Sequence, residues 1–492
     1  MSNAEVPPEF SQYIEDHQQQ FIDRLAEAVA IRSVSGDPAL RPSVTNMGCW
    51  LKKQLEDLGV STQCVDLGPQ DGQGDGEESL HLPPLILGRV GEDPAKKTVL
   101  VYGHYDVQPA EQSDGWNTDP WKLDQNDDTG RLTGRGATDD KGPVLGWLNV
   151  LEAHHALGLE LPVNLRFCFE GMEESGSDGL DEFIAAEAAK GKDGYFDGVS
   201  GVCISDNYWL NARTPCVTYG LRGVVTFQMT VCGPKEDLHS GMFGRMVHEP
   251  MTDLAILMSK LVAPCGKILI DEVENMVPAP TDEERKEYEN LDYTKQDLVD
   301  AVGADIGLSD DPAELLMGRM RYPSLSLHGI EGAYSGPGVK TVIPAKVTAK
   351  FSIRIVSPYQ PSEEVAKAVQ EFVEGEFAKI DTKNKLKFET LDAAEGWVTE
   401  HPKDDWNYQA AIRATEAVYK RTPDLTREGG SIPVTLTFAN NLPGSVSVVL
   451  LPMGRGDDGA HSTNEKIDRS NFIEGSKMLG VYLYEVAASA KN

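Results

Sequence analysis

Residues 98–106 read Thr-Val-Leu-Val-Tyr-Gly-His-Tyr-Asp, an apolar run that ends abruptly in His104 and Asp106. A run of this length, rich in β-branched and aromatic side chains, predicts a strand buried on both faces. Outward from it, strands and helices alternate. Pro143 opens an apolar helix that continues through Leu157, and Val163-Asn-Leu-Arg-Phe-Cys-Phe and Val199-Ser-Gly-Val-Cys-Ile-Ser are further strands. Upstream, Ile22, Leu25 and Val29 stand at helical spacing. Alternation of this kind predicts an α/β layer around a largely parallel sheet.

The chain has 492 residues, well past the ~250–300 at which one hydrophobic core stops growing, so at least two domains are expected. Beyond Asn211 the pattern changes. Gly223 to Val231 and Thr348 to Ile355 alternate apolar and polar residues, as half-buried antiparallel strands do. Met251 to Leu261 is amphipathic, and Ser362, followed by two acids and then Val365, Val369, Phe372 and Val373, predicts a capped amphipathic helix. Two such strand–helix units predict a smaller α+β domain, ferredoxin-like, inserted into the first. Near residue 400 the α/β pattern returns, with a helix from Tyr408 to Tyr419 and the apolar run Val446 to Leu451. The expected division is 1–216 and 401–492 for the α/β domain and 217–400 for the insert. Gln70 to Glu78 reads as a solvated loop, and Asp282-Glu-Glu-Arg-Lys-Glu as a solvated helix face.

Charge and composition exclude several functions. Lys and Arg total 45 against 78 Asp and Glu, a net charge of −33. Such a surface repels phosphate backbones and anionic lipid, so neither nucleic acid nor membrane is an expected partner. No apolar run approaches the ~18–20 residues of a membrane-spanning helix, and Met-Ser-Asn-Ala-Glu-Val-Pro-Pro carries no signal-peptide pattern. Seven scattered cysteines and no Asn-x-Ser/Thr sequon predict a reducing, cytoplasmic location.

Chemistry gathers at the strand ends. The first strand runs into His104 and Asp106, the second into Glu170, Glu173 and Glu174, and the third into Asp206. The returning run 446–453 is followed by a loop ending in His461, and Gly134-Arg-Gly-Ala-Thr-Asp139-Asp140 precedes the helix at Pro143. Open α/β sheets bind ligands beyond the carboxyl ends of their strands, so these points can converge on one crevice. Two histidines and several carboxylates are the nitrogen and oxygen donors of zinc or manganese sites. In an extended backbone residues two apart share a face, so Asp106 can orient the His104 ring from behind. The neighbours Glu173 and Glu174 diverge, so one can bind metal while the other acts as general base.

Gly103-His-Tyr-Asp-Val-Gln-Pro109, the loop Gly134 to Asp140, Glu173-Glu-Ser-Gly-Ser177 and Asp458-Gly-Ala-His-Ser462 together resemble the signature blocks of the M20-family metallopeptidases. Cys203-Ile-Ser-Asp-Asn-Tyr-Trp-Leu210 and Leu425-Thr-Arg-Glu-Gly-Gly-Ser-Ile-Pro-Val-Thr435 are most similar to its carnosinase-like branch. That branch takes in the cytosolic non-specific dipeptidases and the fungal Cys-Gly dipeptidase of glutathione breakdown. The resemblance implies two divalent ions per subunit, Zn²⁺ or Mn²⁺. His104 and Asp206 would hold one, Glu174 and His461 the other, with Asp139 bridging them and a cis peptide between Asp139 and Asp140. Glu173 would be the general base acting on a metal-bound water. His239 would reach from the insert, acting as a lid and dimerisation domain, into the partner subunit's site of a homodimer to stabilise the oxyanion. Arg354 would bind the substrate carboxylate, with Thr341, Gly430 and Ser431 as added donors and Glu428 as receptor for the free amine. The activity implied is hydrolysis of dipeptides with both ends free, including Cys-Gly. The alternatives are an M20 aminoacylase or related amidohydrolase acting on N-acyl amino acids, and a metal-free scaffold. The intact ligand set argues against the scaffold.

Overall fold

A computed structural model of the chain describes residues 4–70, 80–444 and 446–489; the acidic loop expected from Gln70 to Glu78 lies, except for Gln70, outside the described residues. The chain folds as two compact units. One comprises Met1–Tyr219, Thr399–Thr426 and Thr437–Asn492, the other Gly220–Val398 and Arg427–Leu436. The sequence reading gives 401–492 to the α/β domain as one block, but Arg427–Leu436 groups with the insert. The reason is long-range hydrogen bonding. Arg222 donates its backbone N–H to the carbonyls of Glu428 and Gly430, and its Nε to that of Gly429.

The first unit is a mixed α/β structure with a largely parallel central sheet. Four parallel strands lie side by side in the order Asn164–Glu170, Thr98–His104, Val199–Ile204 and Ser447–Leu450. Leu85–Val90 and Ser61–Val65 extend one edge antiparallel, and Cys216–Leu221 the other. Every residue of Thr98–His104 is buried, as its continuous apolar run predicts. Helix Lys141–Leu157 is buried from Lys141 to His154, which suits a mostly apolar helix whose few polar side chains, such as Lys141 and Asn149, find partners inside. Helix Gln18–Val29 turns Phe21, Ile22, Leu25, Ala28 and Val29 inward, one stripe of a 3.6-residue repeat.

Connectivity fixes where a ligand can bind. From Thr98–His104 the chain crosses to Asn164–Glu170 on one side, and the next strand, Val199–Ile204, lies on the other. The strand order therefore reverses about Thr98–His104, and such a switch point opens a crevice at the carboxyl ends. The register aligns those ends: His104 lies opposite Glu170, and Ile204 opposite both Tyr102 and Leu450.

The second unit is α+β. Its antiparallel sheet runs in the order Ser324–Glu331, Lys346–Ile355, Gly223–Cys232 and Lys385–Ala394. Val225, Phe227, Met229 and Val231 share one core with Phe351 and Ile353, with Leu254 and Leu257 of helix Pro250–Met258, and with Val365, Val369 and Val373 of helix Ser362–Ala378. Ser362 does not cap its helix, as the sequence pattern suggests. It is the first helical residue, after Pro361, and its N–H and hydroxyl both donate to Glu395 at 2.8 and 2.6 Å. A carboxylate from another loop has taken the capping site's donors. Helix Asp282–Glu289 buries only Tyr288, in line with a solvated face. Among the described residues no helix is long and apolar enough to cross a membrane.

Candidate metal centre

His104 ends its strand with its ring buried, and Gly103 before it makes room. A Cβ at Gly103 would sit 2.6 Å from Val144 and 2.7 Å from the Asp140 carboxylate. That carboxylate instead accepts the His104 N–H at 3.1 Å. The His104 Nδ1 lies 3.1 Å from the backbone oxygen of Asp106 and 3.3 Å from its carboxylate, which orients Nε2 toward the crevice. Asp106 also accepts the N–H groups of Glu173 and Glu174, at 3.3 and 3.1 Å. One buried carboxylate thus ties the first strand end to the second.

Glu173 and Glu174 lie in a short 3₁₀ turn, Glu173–Ser175, rather than in extended chain, yet their side chains still part company. Glu174 reaches 2.9 Å from the Nε2 of His461, while Glu173 lies 3.9 Å from the Nε2 of His104. Between the histidines stands Asp139. Its Oδ1 is 3.1 Å from His104 Nε2 and its Oδ2 is 3.2 Å from His461 Nε2. Asp206 completes the first side at 3.5 Å from His104 Nε2. Two groups result, His104–Asp139–Asp206 and Asp139–Glu174–His461, each with its ligand atoms within 4.8 Å of one another. The peptide between Asp139 and Asp140 is cis.

The charges of this cluster do not balance among themselves. Burial pushes the Glu173 carboxyl well above its usual range, and Asp206, Asp139 and Glu174 add to that while His104 opposes it. Burial likewise raises Asp206 and Glu174. Burial also works against the Asp139 carboxylate, but hydrogen bonds from His104 and His461 hold it below its usual range. Hydrogen bonds to Asp139 and Glu174 raise His461 to about 11. The surrounding acids favour the protonated form of both imidazoles. A divalent cation would meet that demand for positive charge, and the donor set of nitrogens and oxygens fits zinc or manganese. The Tyr208 hydroxyl, buried in the field of Asp139 and Asp206, has no hydrogen-bond partner among the described residues.

A third group of acids, Asp457, Asp458 and Asp468, is of a different kind. The Lys466 ammonium sits among them at 2.9, 2.6 and 2.5 Å. A side chain already supplies its cation.

In the second unit the remaining expected residues fall into two sets. His239 pairs with Val342 across a short two-stranded ladder, and Ser240 N–H donates to Thr341 O at 3.1 Å. The His239 Nδ1 accepts the Gly241 N–H at 3.0 Å. Elsewhere Arg354, opposite Ser324 and Val224, donates to the Ser431 hydroxyl at 3.3 Å. Gly430 and Glu428 belong to the same segment. Glu428 does not stand free. Arg319 grips its carboxylate in a two-pronged pair at 2.7 and 2.9 Å, so the acid expected to receive a substrate amine is already held by a guanidinium.

Sequence reasoning passes over three residues that shape the centre. The Gln108 N–H and side-chain amide both donate to the Glu174 carboxylate, at 3.1 and 2.7 Å. Glu465 accepts from the 134–140 loop, and Tyr208 lines the cluster. None stands out in a sequence, because a glutamine, a tyrosine and one acid among 78 Asp and Glu become informative only when their partners are known.

Residues 100–485 match the profile of Peptidase family M20/M25/M40. The Cys-Gly metallodipeptidase dug1 of Schizosaccharomyces pombe is 52% identical over 475 residues, 96% of this chain and 97% of that one. The Beta-Ala-His dipeptidase of Homo sapiens is 44% identical over 481 residues, 97% of this chain and 92% of that one. The solved structure of the di-peptidase Dug1p from Saccharomyces cerevisiae superposes with a TM-score of 0.88 at 48% identity, covering 98% of this chain and 99% of that one.

The acid group around Lys466 gives a direct check on which clusters take metal. Lys466→Met leaves the buried Asp458 unpaired and should destabilise the chain by about 3–5 kcal/mol in urea unfolding. Added Zn²⁺ or Mn²⁺ should not restore it. Recovery of stability by either metal would make this group a cation site as well.

Proposed function

The chain belongs to peptidase family M20/M25/M40, and from that premise we propose that it is a dinuclear metallo-dipeptidase of the cytoplasm. On this reading it cleaves dipeptides with free amino and carboxyl ends, Cys-Gly from glutathione breakdown among them. The names of its relatives support the substrate class. Seven cysteines standing as free thiols support the location. The observation that carries the reading is the Asp139 carboxylate, which divides its oxygens between two histidines while Glu173 stays outside both groups.

His104, Asp139 and Asp206 would hold one ion, and Asp139, Glu174 and His461 the other. When bound, the pair supplies a lowered pKa for the attacking water and Lewis acidity toward the scissile carbonyl. Glu173, a carboxylate placed beside both ligand groups and belonging to neither, takes the water's proton and passes it to the leaving amine. Asp106 holds the His104 ring, and Gln108 holds Glu174, so neither ligand has to be ordered during turnover. His239 accepts at Nδ1, so its neutral ring carries the proton on Nε2, where it can donate to the developing oxyanion. Arg354, steadied by Ser431, offers a planar fork to the substrate's carboxylate. Thr341 and Gly430 add donors. The amine is not assigned to Glu428, because Arg319 occupies that carboxylate.

A homodimer in which His239 serves the partner's site is part of the same proposal. Met242, Met246 and Val339 support it. They are 67%, 74% and 92% exposed, close in sequence to His239 and Thr341, and large apolar side chains so exposed suit a covered surface.

Comparing Cys-Gly, its C-terminal amide and N-acetyl-methionine, with Zn²⁺ or Mn²⁺ present, tests the substrate class. Cys-Gly should turn over. The amide, which cannot pair with Arg354, should lose about 1.5–3 kcal/mol, roughly 10–150-fold in kcat/KM. Equal rates for amide and acid would remove Arg354 as the anchor, and faster cleavage of N-acetyl-methionine would make the enzyme an aminoacylase.

Mixing two inactive variants, His239→Ala and Glu173→Ala, under conditions of subunit exchange tests the dimer. The mixed dimer should hold one site with both defects and one with neither. With random exchange of equal amounts, about a quarter of all sites should be intact by two-fold symmetry. Exchange without any gain in activity would mean that His239 acts within its own chain or not at all.

A further inference from the structure

We infer that Glu465 is a positioning residue that builds the metal centre before any ion arrives, by holding the 134–140 loop and so fixing Asp139 relative to His461. The inference rests on the proposed role of Asp139 as the shared ligand.

The loop from Gly134 to Asp140 belongs to neither strand nor helix, and its buried N–H groups need acceptors from elsewhere. Glu465 supplies most of them. One carboxylate oxygen accepts the N–H groups of Thr138 and Asp139, at 3.0 and 3.1 Å. The other accepts the Gly136 N–H at 3.1 Å and the Arg135 guanidinium at 2.7 Å. The Glu465 backbone oxygen takes the Gly134 N–H at 2.9 Å. The loop is wrapped around one side chain with no solvent exposure.

Two features make this a device for geometry rather than general packing. Gly136 has φ of 84° and no room for a side chain, since a Cβ there would lie 2.8 Å from Val107. The turn that aims successive N–H groups at Glu465 therefore depends on that glycine. Arg135 neutralises the carboxylate at close range and is itself seated over the Trp116 ring, 5.3 Å from its centre. The second feature is sequence distance. Glu465 lies four residues after His461, so a short piece of chain links one ligand to the anchor of the other. The spacing between the two metal groups is set by covalent reach and five hydrogen bonds, not by the metals.

Glu465→Gln keeps the size of the side chain but turns one oxygen into an N–H₂ group. Whichever way the amide turns, two donors of the loop then face a donor. Partners of this kind cost 10–100-fold in metal affinity when altered, as a rough expectation. Titration of Zn²⁺ or Mn²⁺ against a competing chelator should show a loss of that size in Glu465→Gln. In the metal-free wild-type chain, hydrogen exchange at Gly136, Thr138 and Asp139 should already be slow. Affinity within two-fold of wild type in a folded Glu465→Gln overturns the inference. So do amides that exchange freely without metal and slow only when it is added, a result that needs no variant to fold. Asp139→Asn separates the two claims. If it binds both ions as the wild type does, the reading of the centre fails, while the exchange pattern still decides what Glu465 does.

Discussion

One carboxylate, Asp139, shared between two histidines, is the constraint around which the first unit is arranged. At 4 Å two like charges repel by about 4 kcal/mol in a protein-like dielectric, and Asp139 is surrounded by Asp206, Glu173 and Glu174. No arrangement of hydrogen bonds alone can keep so many buried acids ionised. Burial raises the proton affinities of Glu173, Asp206 and Glu174, repulsion among the acids adds to it, and hydrogen bonds to Asp139 and Glu174 raise that of His461. Protons are the weakest answer to such a field, and divalent cations are the strong one.

The fold's contribution is to bring the acids to one place without letting them move apart. A parallel sheet brings three strand ends to a common edge, and reversal of strand order about Thr98–His104 opens the space beyond them. Backbone contacts then convert approximate convergence into fixed distances. Asp106 binds the N–H groups of Glu173 and Glu174, Asp140 binds that of His104, and Gln108 grips Glu174. The contrast with the cluster around Lys466 is instructive. Three acids gather there too, but a lysine ammonium sits among them.

The sheet and the gathering of His104, Asp139, Asp206, Glu174 and His461 beyond its strand ends were legible in the sequence because they depend on short-range rules. A buried parallel strand is a continuous apolar run, and a residue just past its end must lie at the sheet's carboxyl edge. His104, Glu173, Glu174, Asp206 and His461 stand out by their places beyond strand ends, and Asp139 by its glycine-rich loop, whereas the division of roles among them came only from the family's signature blocks. What stayed hidden depends on partners distant in sequence. Glu428 looks like a free acid until Arg319, more than a hundred residues earlier, closes on it. Arg427–Leu436 reads as part of the α/β domain until Arg222 is seen to bind its carbonyls. Ser362 has the neighbours of a helix cap, but Glu395 takes its donors. In each case a long-range hydrogen bond overrode a sound local preference.

The central claim is that the cluster is completed by two cations sharing Asp139. Anomalous diffraction from crystals grown with Mn²⁺ or Zn²⁺ tests it most directly. Two peaks about 3.5–4 Å apart are expected, one among His104, Asp206 and Asp139 and the other among His461, Glu174 and Asp139. A single peak at full metal occupancy, or density between two ions without Asp139 in contact with both, would contradict the account.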